Sequence, residues 1–259
     1  MNLNYKDEGH GPPLIILHGL FGSMTNWRGI ASRLKVSFRV ITVDLRNHGR
    51  SDWSDDVSYE SMAADIIALG NDLELDEVIL LGHSMGGKTA MAAALLYPER
   101  VAGLVVVDIA PISYNHSHET LINTLLKVDL DTINNRQDLD RVLSRDIAEK
   151  GLRMFLSQNL VAAEGGFKWR VNLRGLSEGM GSLVGFPDFD VRRFEKPSLF
   201  LYGRQSNYVT EAYQGEIDRY FPNAHMEAID EAGHWLHAEK PQRVIDAVHE
   251  FGHGINSQG

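Results

Sequence analysis

The chain has 259 residues, and 25 basic against 35 acidic side chains give it a formal net charge of −10. The absence of cysteine excludes a disulfide scaffold, a zinc finger, an iron–sulfur site and a cysteine nucleophile, and the acidic balance argues against nucleic acid or an anionic membrane as partner. The sequence shows neither an apolar run long enough to span a membrane nor a secretory signal pattern at residues 1–6, so we expect a cytoplasmic protein.

Short apolar runs bounded by Gly, Asn or Asp predict six buried strands, at residues 14–17, 38–43, 78–81, 104–107, 198–202 and 225–229. Their continuous Val, Ile and Leu character is typical of parallel strands that are covered on both faces. Amphipathic or Ala-rich stretches between them predict helices, at residues 59–73, 85–96, 211–220 and 242–251. This alternation indicates an α/β fold with a mostly parallel, doubly wound sheet.

Residues 111–196 break the alternation. No strand is evident there, and the pattern predicts helices at residues 120–127, 138–150 and 152–163. The segment is far longer than a crossover needs, and its large apolar side chains, among them Phe155 and Trp169, can form a small surface of their own. We therefore expect a helical lid inserted between two strands of a core that consists of residues 1–110 and 197–259.

The sequence Gly82-His83-Ser84-Met85-Gly86 fits the G-x-S-x-G pattern of a nucleophile elbow. It follows one predicted strand and precedes a predicted helix, which is the context that this turn requires. Small residues two before and two after the serine are needed because the strained turn brings backbone segments close together. We predict that Ser84 is a catalytic nucleophile whose hydroxyl stands above the carboxyl edge of the sheet.

A serine needs a base to accept its proton, and we assign this role to His234. It lies in a loop after the last predicted strand, at the same edge of the sheet, and the order along the chain is serine before histidine. His18 and His83 adjoin motif glycines and His237 is one turn beyond His234, so we assign them packing roles. Other histidines with ligand-like spacing lack a carboxylate or cysteine to complete a set, and we expect neither a metal nor a cofactor.

The acid of such a triad commonly follows the strand before the last, but here Ser206 occupies that position and no carboxylate comes before Glu211. A neutral side chain can orient a histidine but cannot offset the charge of the imidazolium. Asp108 directly follows the apolar strand at residues 104–107, one strand nearer the nucleophile, and a buried carboxylate there needs a partner. We therefore predict Asp108 as the acid. The weaker candidates lie in the predicted lid or beside His234 and are Asp188, Asp190, Asp230 and Glu231.

Two backbone N–H groups are expected to form an oxyanion hole. One belongs to Met85, directly after the nucleophile, and the other to the His-Gly-Leu-Phe-Gly bend that follows the first strand. We assign the second donor to Leu20, with Phe21 as the alternative. Phe21 and Trp235, together with apolar lid residues, are predicted to line an acyl pocket.

Five motifs together resemble the YbfF-type esterases of the α/β-hydrolase superfamily, and they lie at residues 18–23, 44–51, 82–87, 107–111 and 233–241. The similarity extends over nearly the whole chain, including the lid. It implies the α/β-hydrolase fold and a serine esterase, with acyl-CoA thioesters among the substrates of the group, and an acid after the earlier strand, as at Asp108. It also implies that Ser206 adds a hydrogen bond near the triad, and we group Ser206 with the pocket residues.

The predicted reaction is hydrolysis of a small-molecule ester or thioester through an acyl-enzyme. An acyl-CoA thioesterase and a carbon–carbon bond hydrolase or lyase remain alternatives on the same triad, and a receptor with vestigial chemistry is a third. A thioesterase needs a basic patch to bind the phosphates of CoA. The basic residues of the predicted lid that could form such a patch are Arg141, Arg145, Lys150 and Arg153. A solvent-exposed helix face explains these four residues better. Because CoA is polyanionic, the charge of −10 favours plain ester hydrolysis by a serine carboxylesterase. The sequence is compatible with a monomer or a homodimer.

Overall fold

A seven-stranded sheet forms the centre of the fold. The computed structural model describes residues 1–115 and 118–256, so residues 116 and 117 of the predicted lid and residues 257–259 of the predicted core lie outside the described part. In chain order the strands are β1 Tyr5–Glu8, β2 Pro13–Leu17, β3 Arg39–Val43, β4 Val78–His83, β5 Val101–Val107, β6 Leu160–Ala163, β7 Gly166–Trp169, β8 Ser198–Gly203 and β9 Ala224–Ile229. The sheet has the order β1-β3-β2-β4-β5-β8-β9, and β6 pairs with β7 in a separate hairpin. All neighbours in the sheet are parallel except β1 and β3, which confirms the predicted mostly parallel α/β fold.

The six predicted strands are all present, and β4 and β5 are longer than predicted. The prediction missed β1, which pairs antiparallel with β3 at the edge of the sheet. Its sequence, Tyr-Lys-Asp-Glu, is mostly exposed. An edge strand can be this polar because one side of it faces water, and no apolar run therefore marks it.

Helices cover both faces of the sheet. In chain order they are α1 Arg28–Leu34, α2 Tyr59–Asp72, α3 Met85–Leu96, α4 Glu119–Leu126, α5 Arg136–Leu143, α6 Lys150–Ser157, α7 Leu173–Glu178, α8 Met180–Val184, α9 Gln214–Tyr220, α10 Leu236–Glu239 and α11 Pro241–Asn256. Side chains alternate along β2, so Ile15 and Leu17 join an apolar cluster with α2 and α3, whereas Leu14 and Ile16 join another with α1 and α11. In the part of the chain that the structure describes, no helix combines the length and the apolar character needed to cross a bilayer.

Residues 111–196 leave the sheet between β5 and β8 and contain α4 to α8 and the β6–β7 hairpin. The prediction of helices alone is wrong, because the predicted helix at 152–163 ends at Ser157 and the chain continues as β6. The hairpin closes through a tight turn in which Gly165 has a φ of 79°, a conformation that glycine adopts without strain. The predicted helix at 138–150 is likewise divided, since α5 ends at Leu143 and α6 begins at Lys150.

The described part of the inserted segment shares the apolar core of the sheet domain. Ile122, Leu139 and Leu176 of the segment are fully buried and belong to the same cluster as Met91 of α3 and Leu104 of β5. The segment is therefore packed onto the sheet domain through continuous apolar contact. This differs from the expectation that its apolar side chains form a small surface of their own.

Candidate active site

Ser84 lies on the turn between β4 and α3, at the carboxyl edge of the sheet. Its φ of 52° falls in the left-handed region, which is strained for a residue with a side chain. Glycines make the turn possible: a Cβ on Gly82 would lie 2.1 Å from the Gly86 carbonyl oxygen, and a Cβ on Gly86 would lie 2.5 Å from the Leu17 carbonyl oxygen. The G-x-S-x-G spacing is therefore a steric requirement of this turn.

Asp108 directly follows β5, has a φ of 52° and is 0% exposed. Its Oδ1 accepts a hydrogen bond from the Gly203 N–H at 3.0 Å, and its Oδ2 accepts from His234 Nδ1 at 2.8 Å and from the Ser206 hydroxyl. Because β5 and β8 are adjacent and parallel, the loop after β8 meets Asp108 at one edge of the sheet. Three donors thus form hydrogen bonds to this carboxylate, and these bonds offset the free-energy cost of its burial.

His234 follows β9 and is held from several sides. Its Nδ1 donates to Asp108, which leaves the lone pair of the neutral ring on Nε2. Its backbone carbonyl accepts from His83 Nε2 at 2.8 Å, and its ring stacks on Tyr208 with centroids 3.9 Å apart. The structure brings Ser84, His234 and Asp108 together, since His234 also shares a cavity with Ser84. Sequence reasoning missed Tyr208, because no motif marks its loop.

The loop after β2 lines the same cavity. Phe21 has a φ of 61°, its N–H donates to His48 Nε2 at 3.2 Å, and its carbonyl accepts from Asn159 Nδ2 at 2.7 Å. The N–H of Phe21 is therefore already used, which favours Leu20 as the donor from this loop. Met85 is the first residue of α3, where a helix offers no internal acceptor for the N–H group. Sequence reasoning missed both His48 and Asn159.

Four histidines are buried around this site, namely His18, His48, His83 and His237. Burial is the largest cause that lowers the pKa of each ring, to about 3 for His48 and His237. His18 shows the neutral form, because its Nδ1 donates to a backbone carbonyl while its Nε2 accepts a backbone N–H at 3.0 Å. These rings therefore add no positive charge beside Ser84 at neutral pH. Across residues 1–115 and 118–256, no group of three or more His, Asp or Glu side chains is placed to hold a metal ion.

A cavity of about 240 Å³ contains Ser84 and His234 in its wall. The rest of the wall is mainly apolar and includes Phe21, Trp235, Leu121, Leu152 and Phe155, the last three from the inserted segment. Ser206, which was predicted with the pocket residues, is not part of this wall. Its hydroxyl donates a hydrogen bond to Asp108 instead, so it contacts Asp108 and not the cavity.

Lys88 is a buried cation one turn after Ser84 on α3, and it is 2% exposed. Its Nζ donates to the carbonyls of Val184 and Gly185 at 2.8 and 2.6 Å, which ties the inserted segment to α3. Burial lowers the pKa of Lys88 to about 7. Lys88 and Ser84 both line a second cavity of about 30 Å³. The Ala- and Met-rich pattern of α3 gave no sign of a buried charge.

Of the four lid residues considered for a basic patch, Arg145 and Lys150 are exposed, as a solvated face requires, and the other two pair with acidic side chains. Arg153 is buried, and its guanidinium bonds to Asp140 at 2.7 Å and to two backbone carbonyls of the turn before α6. Arg141 pairs with Asp138 at 3.2 Å. Arg153 thus stabilises the connection between α5 and α6, and it is neither a phosphate ligand nor part of a solvated face.

The fold and the arrangement of this site define an α/β hydrolase, and the chain belongs to that family: the profile of the alpha/beta hydrolase fold matches residues 12–241. Several of its relatives are named esterases and lipases, and the chain is a hydrolase that acts on ester bonds.

Three similar proteins illustrate this relationship. The sn-1-specific diacylglycerol lipase ABHD11 of Mus musculus is 41% identical over 248 residues, which cover 93% of this chain and 80% of the relative. Esterase YbfF of Escherichia coli is 33% identical over 247 residues, or 95% of each chain. A solved structure of a marine microorganism esterase is 40% identical with a TM-score of 0.93, covering 96% of this chain and 98% of that one. The resemblance to YbfF-type esterases is confirmed.

Proposed function

We propose that this chain is a serine carboxylesterase in which Ser84 is the nucleophile, His234 the base and Asp108 the acid. The observation that carries the proposal is the 2.8 Å hydrogen bond between buried Asp108 and His234 Nδ1, beside a cavity that His234 shares with Ser84. A histidine held in this way presents Nε2 as the proton acceptor for a serine hydroxyl.

In the acylation step, Ser84 Oγ attacks the carbonyl carbon of the ester while His234 Nε2 takes the hydroxyl proton. The electron pair of the carbonyl bond moves to oxygen, and the N–H groups of Leu20 and Met85 stabilise this oxyanion. The carbon–oxygen bond to the alcohol then breaks, and His234 returns the proton to the departing oxygen. Ionised Asp108 stabilises the imidazolium throughout.

In the deacylation step, water attacks the acyl carbon of the Ser84 ester, and His234 takes one proton from that water. Collapse of the second oxyanion breaks the bond to Ser84 Oγ, which recovers its proton from His234. The products are a carboxylic acid and an alcohol, and the enzyme returns to its starting form.

Residues 111–196 act as a cap over the catalytic cavity in this proposal. Leu121, Leu152 and Phe155 of this segment form part of the wall of the cavity that Ser84 and His234 also line. An apolar wall of this kind suits the hydrocarbon part of an acyl group better than a charged one.

A fluorophosphonate probe, which labels activated serines, tests the nucleophile directly. We expect labelling of the wild type and none of the Ser84→Ala variant, with folding of the variant verified by circular dichroism. Labelling that persists in Ser84→Ala would overturn the assignment. Rates on p-nitrophenyl esters from acetate to palmitate, measured beside acyl-CoA thioesters, test the substrate class, and turnover of thioesters alone would contradict a carboxylesterase.

A further inference from the structure

A groove outside the catalytic cavity combines cations with indole rings. Its volume is about 500 Å³, and it lies where the loop after β3 meets the β6–β7 hairpin. Its charged and aromatic walls, called the basic groove here, are Arg50, Trp53, Lys168, Trp169 and Arg170. The basic groove shares no lining residue with the catalytic cavity.

The cations of the basic groove have no acidic side chain as a close partner. Among the described residues, no ion pair includes Arg50, Lys168 or Arg170. Arg170 Nη2 donates to the Ser23 hydroxyl at 3.1 Å, but its Nε is buried without an acceptor. In a chain with a net charge of −10, these three cations concentrate positive potential at one concave surface.

The acid that acts on Arg170 from a distance is Asp44, and its carboxylate is already occupied. It accepts three hydrogen bonds of 2.7 to 3.0 Å, one of them from the backbone N–H of Arg50. Burial is the largest cause that lowers the pKa of Arg170; the negative charge of Asp44 raises this pKa, and the positive charges of Arg136 and Arg50 lower it. A bound anion would add a favourable electrostatic interaction with the guanidinium groups of Arg50 and Arg170.

The two tryptophans supply a different kind of contact. Trp53 is 55% exposed, and Trp169 is half-buried at the end of β7. An exposed indole ring leaves apolar surface in water. A planar ring that stacks on the indole buries this surface, which is favourable. Arginine and lysine bind phosphate through charge-assisted hydrogen bonds. The basic groove therefore offers partners for both a phosphate and a planar ring.

We infer that the basic groove binds a nucleotide, with its phosphates on Arg50, Lys168 and Arg170 and its base against Trp53 and Trp169. A concave site of about 500 Å³ encloses a small ligand, whereas a membrane surface needs a flat or protruding face. The net charge of −10 repels a nucleic-acid polymer that extends beyond the groove. The inference goes beyond the proposed esterase reaction and does not depend on it.

Calorimetric titration of the wild-type protein with ADP, adenosine and inorganic phosphate tests the ligand class. We expect ADP to bind, and adenosine and phosphate to bind at least about tenfold more weakly, because each lacks one half of the contacts. The affinity for ADP should fall as sodium chloride is raised. ADP should also quench the indole fluorescence of the wild type, and this quenching should be lost in the Trp53→Phe/Trp169→Phe double variant.

Charge variants locate the ligand. The Arg50→Gln/Lys168→Gln double variant should raise the Kd for ADP about tenfold or more, since it removes two charged contacts. The matched control is Arg33→Gln/Arg243→Gln, which removes the same charge from exposed side chains of α1 and α11 and should leave the Kd unchanged.

Several outcomes would overturn the inference. They are the absence of ADP binding at millimolar concentration, adenosine binding as tightly as ADP, and an equal loss of affinity in the control pair. Binding to phosphatidylserine vesicles that depends on Arg50 and Lys168, without ADP binding, would overturn it in favour of a membrane surface.

Discussion

Asp108 combines a strained backbone with complete burial and three hydrogen bonds to its carboxylate. A strained backbone conformation of this kind persists only where surrounding contacts stabilise it. The contacts come from the Gly203 N–H, the Ser206 hydroxyl and the His234 ring, so Asp108 is bonded to the loop after β8 and to the loop after β9. Ser206 takes the position where an acid commonly lies, and in the proposed triad it positions Asp108.

The Asp108→Asn variant tests the proposed acid. We expect kcat to fall by about 10³–10⁴-fold, because a neutral amide does not stabilise the imidazolium and favours the wrong ring tautomer. Steady-state kinetics on a p-nitrophenyl ester measure this change. Asp188→Asn, an exposed site in the inserted segment, serves as the control and should keep the wild-type rate. A near-normal rate in Asp108→Asn would remove the acid from the mechanism.

Asn159 contacts the proposed oxyanion loop from 138 residues away along the chain. Phe21, next to Leu20, is held in a left-handed conformation by Asn159 on its carbonyl and by His48 on its N–H. The direction of the Leu20 N–H therefore depends on contacts that fix the following residue. Asn159 is a positioning residue in this account, since it contacts Phe21 of the loop but does not itself line the cavity.

The Asn159→Asp variant keeps the side-chain shape but sets a carboxylate against the Phe21 carbonyl. We expect kcat to fall about tenfold or more with little change in KM, because oxyanion donors act mainly in the transition state. Gln158→Ala, at the neighbouring exposed position, should remain close to wild type. If Asn159→Asp folds with the wild-type melting temperature and keeps its kcat, the loop does not depend on this contact.

The sequence was sufficient to place Ser84, His234 and Asp108 at the same edge of the sheet, because each directly or shortly follows a predicted strand and parallel strands end at one edge. The sequence was not sufficient to predict that His48 and Asn159 bond to the backbone of Phe21. Their contacts join loops that are distant in the chain, and no spacing rule relates the two ends of such a contact.

At the scale of elements, the turn between β4 and α3 depends on backbone packing. Gly86 lies against the Leu17 carbonyl of β2, which is paired on both sides in the sheet and cannot retract. By contrast, a Cβ on Gly215 of α9 would meet nothing within 4 Å. The same substitution should thus have opposite effects at these two glycines.

Gly86→Ala should lower the free energy of unfolding by about 1–3 kcal/mol through overpacking. Gly215→Ala should raise it by about 0.5–1 kcal/mol, because alanine is the better helix former. Urea denaturation measures both values. A Gly86→Ala protein as stable as the wild type would show that the strand and helix can separate at this turn.

The β6–β7 hairpin shows where element prediction failed. Leu152, Phe155, Leu156 and Leu160 continue a helical spacing past the point at which α6 ends. The glycine pair that follows Glu164 is the only sequence signal against a helix. This signal is weaker than that of four apolar residues at helical spacing. Tertiary packing, to which Asn159 contributes through Phe21, decides the outcome.

For the whole molecule, the buried histidines predict a pH dependence of stability. The pKa of His48 and of His237 is about 3 in the folded chain, against an ordinary value of 6.5. Between these values the unfolded chain binds more protons than the folded chain, so the free energy of unfolding falls as pH falls. The slope is about 1.4 kcal/mol per pH unit for each histidine. Lys88 acts in the same direction between pH 10.5 and about 7.

Urea denaturation at pH 5 and pH 7 tests this dependence. The wild type should be markedly less stable at pH 5, and His237→Phe should reduce the difference because one proton-binding site is removed from the unfolded chain. Equal differences for the two proteins would show that His237 is not a source of the effect.

The alternation of apolar runs and amphipathic stretches was enough to predict the parallel part of the sheet and the helices that cover it, since a parallel sheet covered on both faces demands that pattern. It could not show that the inserted segment shares one apolar cluster with α3 and β5. Apolar periodicity identifies which side of a helix is buried, but it does not identify the partner.

The pairing of β5 with β8 also dictates when the site is completed during protein synthesis. The whole of residues 111–196 leaves the ribosome before β8 can dock on β5, and pairing across such a separation is slow. Until then, the carboxylate of Asp108 lacks the Gly203 N–H, and His234 lies further along the chain, after β9. A nascent chain therefore carries its serine elbow before the proposed base is in place, and we expect hydrolytic activity only after the last strands have joined the sheet.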